Sequence, residues 1–176
     1  AMDMWDPYIA AVRGSVPGGE EKIVFDRFHV MGHVSKAVDD VRRREHKELW
    51  SRGDATLKGT RYLWLWNAEN IPEWRRPDFE ALRAKDLKVS RAWAIKENLR
   101  QLWACGSEEE ARNFFARWYG WAMRSRLAPV VKAARTLKHY MGGVLRFLRH
   151  RITNACVEGL NSKIETIKKM ACGFRN

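Results

Sequence analysis

Three carboxylates and one imidazole stand where chemistry could use them. Glu158 lies in the stretch "RITNACVEGLNSKIETIKKMACGFRN", residues 151–176, in the company of Asn161, Lys163 and Lys168. Asp3 directly precedes a helical pattern, and Asp26 closes "KIVFD", with His29 three residues further on in "DRFH". A carboxylate at the C-terminal end of a strand is well placed for chemistry in an open α/β sheet. Carboxylates converging from separate elements beneath a basic surface are what hard divalent cations need, namely oxygen ligands with a phosphate nearby. Each acid also has a plainer reading. Asp3 suits an N-cap or first-turn acid, and Glu158 sits at the edge of an apolar stripe, where solvated acids also stand. On spacing alone the plainer reading of Glu158 is the stronger one.

The elements that must position these residues are legible in outline. Trp5, Ile9 and Val12 recur at helical spacing, Pro7 suits a first turn, and "VPGG" closes the segment. "KIVFD" predicts a short buried strand. From His29 to about Leu49 the pattern is helical, with Val30, Val34, Val38 and Val41 on one face. That alternation near the start implies α/β structure. Residues 51–72, broken by Gly, Asn and Pro, predict no definite element. Beyond them no strand signal appears. "RPDFEALRAKDLKVSRAWAIKENLRQLWACG" reads as helix ending at Gly106, and Ser107 with the acids after it forms a good N-cap.

A further helix is expected from about Pro129 to His150, with Val130, Ala134, Leu137, Met141, Leu145 and Leu148 inward and Lys132, Arg135, Lys138, Arg146 and Arg149 on the other face. In the last segment Val157, Leu160, Ile164, Ile167 and Ala171 form one stripe expected to be buried. Glu158, Asn161 and Glu165 lie beside it. The fold class expected is α/β, mostly α: residues 1–45 and 151–176 in one α/β element, interrupted by an all-helical block over 46–150.

Composition narrows the partner. The chain has 176 residues, a net charge of +12 and 45% hydrophobic residues, so it can bury a core and calls for a polyanion, most commonly nucleic acid. No run approaches the roughly 18 apolar residues of a membrane span, and no leader-like pattern opens the sequence. Three cysteines without a CxxC pair argue against a disulfide framework or zinc site and fit a reducing compartment. Eight of the nine tryptophans fall between Trp50 and Trp121, which predicts a core built on large rings; exposed aromatics among basic residues would instead suit base stacking.

Five blocks in order, "MDMWDPYIAAV", "IVFDRFHV", "LKGTRYLWL", "RWYGWAMRSRLAPV" and "HRITNACVEGLNSKIETIKKMACGFRN", resemble the DDE transposases of bacterial insertion sequences, in particular the insertion sequence L-three group. The last block is the most specific, and the resemblance runs through essentially the whole chain. It implies an RNase H-like core whose Asp, Asp and Glu hold two Mg²⁺ or Mn²⁺ ions that activate water or a DNA 3′-hydroxyl for attack on a phosphodiester. By that likeness Glu158 is the triad glutamate, on a helix after an all-helical insertion, and Asp3 is the second aspartate, both metal ligands. A C/D-x-x-H signature of related Mutator-like transposases matches Asp26 and His29, so Asp26 is an auxiliary residue, or in the alternative assignment the second triad aspartate. Asn161 is also auxiliary.

The resemblance further implies DNA as partner, contacted by the basic helix face and by Arg151 and Lys163, homo-oligomerisation of the full protein, and a bacterial cytoplasmic setting. Nothing before Asp3 supplies the first triad aspartate. The chain is therefore expected to be a C-terminal portion of a transposase, inactive alone. The competing expectation is a non-catalytic basic helical module that binds DNA or dimerises.

Overall fold

The computed structural model describes residue 2, residues 4–150 and residues 155–170; of 155–158 and 161 it describes backbone only. Helix α1 (Asp6–Ser15) carries Pro7 in its first turn, where a missing amide hydrogen costs nothing, and buries Ile9. Its N-cap position is Trp5, and the acid in its first turn is Asp6. "VPGG" turns the chain back. Gly18 takes φ 65, and a Cβ on Gly19 would lie 2.3 Å from the Val12 carbonyl oxygen, so both positions need glycine. The single turn of α2 (Gly19–Lys22) follows.

The strand expected at "KIVFD" is replaced by an extended segment. Ile23, Val24 and Phe25 are buried, as expected. Their backbone, however, makes one isolated parallel bridge, Met2 with Phe25, in which the Met2 amide donates to Val24 O at 2.9 Å. A strand needs a ladder along its edges. Here helical residues take that place: the Phe25 amide donates to Gly143 O (3.2 Å), and Arg146 Nε donates to Ile23 O (2.7 Å). The described residues form helices and no strand, so the expected α/β core is not seen among them.

Asp26 ends that segment and caps α3 (Arg27–Trp50), accepting from the Phe28 amide at 2.6 Å. After α3 come α4 (Arg61–Leu65), α5 (Arg76–Arg83), α6 (Lys88–Leu99), α7 (Glu108–Arg124), α8 (Ala128–His139), α9 (Met141–His150) and α10 (Ala155–Met170), with 3₁₀ turns over 68–70, 73–75 and 100–104. The buried face of α3, Val30, Val34, Ala37, Val38 and Val41, packs chiefly against α6 and α8. One core runs from Ile9 to Phe147 and includes Trp64, Trp93, Trp103 and Trp118, while Trp5, Trp50, Trp74 and Trp121 are exposed. The ring-built core therefore accounts for only part of the tryptophan excess. The boundary expected near residue 45 falls inside α3.

Two expected helices are each divided. The stretch ending at Gly106 is α5, α6 and a 3₁₀ turn, broken at 84–87. The helix expected from Pro129 to His150 breaks at Tyr140, just before Gly142 and Gly143. The break seats α9 on Phe25: a Cβ at Gly143 would lie 2.4 Å from that ring. Ser107 caps α7 as expected, accepting from the Glu110 amide at 3.1 Å.

Two buried charges tie the helices together. α6 has no side-chain cap of its own, and Glu45 of α3 supplies one, its two carboxylate oxygens accepting from the Lys88 amide (2.7 Å) and the Val89 amide (2.8 Å). Lys96 is fully buried and donates to Leu65 O (3.0 Å) and Trp66 O (2.7 Å), satisfying the end of α4. Burial pushes its pKa down, and the neighbouring Glu97 carboxylate opposes that shift.

The stripe on α10 is a correction. Leu160, Ile164 and Ile167 are exposed, not buried, while Ala171 and the side chain of Val157 lie outside the described residues. Helical spacing identifies an apolar face; it does not say that the residues in hand cover it. Cys105 is buried and unbridged.

Candidate nucleic-acid interface and catalytic acids

At the start of α3, three segments meet. Asp26 is buried under its capping bond, and His29, one turn on, is half-buried with its ring edge-on to Phe28 at 5.6 Å. Met4 and Trp5 line a hollow together with Phe28, His29, Gly32, His33 and Lys36. The residues on either side of position 3 thus reach this region, Met2 by its bridge to Phe25 and Met4 through the hollow. Asp3 itself and Arg151 lie outside the described residues, as do the side chains of Glu158 and Asn161, although α10 carries the backbone of both. Among the described residues no group of three or more His, Cys, Asp or Glu side chains could hold a metal ion. No helix there is long and apolar enough to cross a membrane.

The cations assigned to DNA fall into two groups. Arg146 is half-buried and holds Ile23 O and Glu20, at 2.7 and 3.4 Å. Arg149 pairs with Glu108 at 2.8 Å, and Arg112 first, then Arg149, holds that carboxyl below its usual range. These two arginines fasten α9 to α2 and α7 as well as carrying charge. Lys132, Arg135 and Lys163 are exposed and make no ion pair among the described residues, and Lys138 lies 4.8 Å over the Tyr119 ring. Lys132 faces α3 across a cleft of about 490 Å³ whose other wall includes His33, Lys36, Asp40 and Arg44. Sequence reasoning missed Lys36 and Arg44. Their signal was available in the 33, 36, 40, 44 spacing, one stripe of α3, but nothing in the sequence says that α8 lies opposite.

A family model described as "Transposase", for the ISL3 group of DDE transposases, matches residues 1–176. The chain is 30% identical over 179 residues to the transposase for insertion sequence element IS1001 of Bordetella parapertussis, covering all of this chain and 44% of that protein. It is 28% identical over 174 residues to the transposase for insertion sequence element IS1557 of Mycobacterium tuberculosis, covering 86% of this chain and 39% of that one. No solved structure matches it. The chain belongs to the ISL3 family of DDE transposases. It spans less than half the length of these curated relatives.

Proposed function

We propose that this chain is the part of a DDE transposase that brings two catalytic acids, Asp3 and Glu158, and a basic helical insertion to the cleavage and joining of DNA strands at insertion-sequence ends. The observation carrying this reading is the family match along all 176 residues, which includes both acids. The proposed division is 1–45 and 151–176 in an RNase H-like core, with 46–150 as the insertion. Mg²⁺ or Mn²⁺ would be held by Asp3 and Glu158, with an acid from elsewhere in the complete protein, and would supply activation of the attacking oxygen and stabilisation of charge on the phosphate. The chain's own residues position DNA: Lys132 and Arg135 offer unpaired charge to phosphates, with Lys138, Lys163 and Arg151 as further contacts. The full protein is proposed to act as a homo-oligomer in the cytoplasm, and the 176 residues alone to be inactive.

Asp26 is assigned a supporting role, and the cap gives a way to test it. Asparagine caps a helix about as well as aspartate, so Asp26→Asn should leave stability near wild type, while Asp26→Ala should cost about 1 kcal/mol. In the complete transposase, Asp26→Asn should slow cleavage by no more than the about 10–100-fold typical of a supporting residue. Loss of all cleavage at unchanged stability would make Asp26 the second triad aspartate in place of Asp3.

The basic face is tested by salt. Affinity of the complete protein for duplex DNA should fall steeply as salt rises. Replacing Lys132 and Arg135 by glutamine should flatten log K against log salt by about 0.9 for each phosphate no longer neutralised. A wild-type plot already flat would remove phosphate binding from the account.

A further inference from the structure

We propose that the face running from the start of α3 into the α3–α8 cleft is a track for single-stranded nucleic acid, with Phe28 and Trp5 receiving bases and Lys36, Arg44 and Lys132 receiving phosphates. The proposal rests on the reading of the chain as DNA-acting and adds which form of DNA it holds and where.

Phe28 is 73% exposed and Trp5 51% exposed, a large apolar area to leave in water. Trp5 is braced edge-on by Tyr8 at 4.3 Å, so its ring is held. Both rings line the hollow whose far wall is Gly32, His33 and Lys36, and the same His33 and Lys36 line the cleft that holds Arg44 and Lys132. The two depressions therefore share one wall, His33 and Lys36. From Phe28 to Arg44 the helix rises about 24 Å, at about 1.5 Å per residue, room for several nucleotides.

Lys36, Arg44 and Lys132 are exposed. Arg42 and Arg43 pair with Asp39, and Arg100 with Glu69 and Glu97. Lys36, Arg44 and Lys132 have no ion-pair partner among the described residues. One acid, Asp40, lines the cleft with them and reduces its positive field. Exposed rings at one end of a cationic groove suit unstacked bases followed by their phosphates. A duplex keeps its base faces stacked and offers the rings nothing, which is why the assignment is to a single strand.

The test uses the complete transposase with labelled oligo-dT and a duplex of equal length. Phe28→Ala should weaken oligo-dT binding about 5- to 150-fold, the range for loss of one stacked base, with duplex affinity within about twofold. Trp5→Ala should act in the same direction, and Phe28→Tyr should restore binding. Lys36→Gln and Lys132→Gln should each lower the oligo-dT salt slope by about 0.7, and Asp40→Asn should tighten binding. If wild type binds duplex with a steep salt slope but Phe28→Ala leaves oligo-dT affinity unchanged, the track is wrong: another part of the same protein covers these rings, and the proposed function stands. Equal loss on both DNA forms also overturns it. Wild type binding neither form would overturn the proposed function itself.

Discussion

Glu45→Ala should destabilise the helical body by about 3 kcal/mol in urea unfolding, the largest stability loss expected from a single polar side chain here. The carboxylate is buried, and both its oxygens are committed to the first amides of α6. Alanine would leave those amides without an acceptor at a helix start away from water, and would remove the negative charge that favours that end. Glu45→Gln keeps one good acceptor and the side-chain shape, so it should lose about half as much. The order Glu, Gln, Ala in unfolding midpoint at constant m is the expected result. An alanine variant within about 0.5 kcal/mol of wild type would mean that the α3–α6 contact is held by apolar packing alone.

Local chemistry was legible and long-range chemistry was not. Pro7 in a first turn, the "VPGG" reversal and the Ser107 cap are written within a few residues of the structure they produce, and each forms as expected. Glu45 and Lys96 carry no such mark. One lies 43 residues from the amide it caps and the other 30 from a carbonyl it satisfies, so nothing local separates them from solvated charges. The burial of "KIVFD" was legible from its apolar run, but whether strands or helices satisfy its backbone depends on distant residues, here Gly143 and Arg146. On α10 the period gave the apolar face and not its covering.

The candidate site divides the same way. Asp26 and His29 were legible as a spaced pair, and the structure adds that Asp26 is already engaged as a cap. Arg146 and Arg149 looked like their neighbours on the basic face until their carbonyl and carboxylate partners were visible. Lys36 and Arg44 became candidates only once α8 stood across from α3.

Glu158 is proposed as a catalytic acid. The metal-ligand role proposed for Glu158 rests on the resemblance of "ITNACVEGLNSKIETIKK…GFRN" to the family's text, the most specific part of that likeness. Glutamine keeps the size and hydrogen bonding of the side chain and loses the charge that would hold a divalent cation. The deciding measurement is strand cleavage at insertion-sequence ends by the complete transposase carrying Glu158→Gln, with duplex affinity measured on the same preparation. Cleavage should vanish in Mg²⁺ and Mn²⁺ alike while affinity stays near wild type. Cleavage at a near-normal rate would make Glu158 a surface acid and leave the chain a basic DNA-binding module.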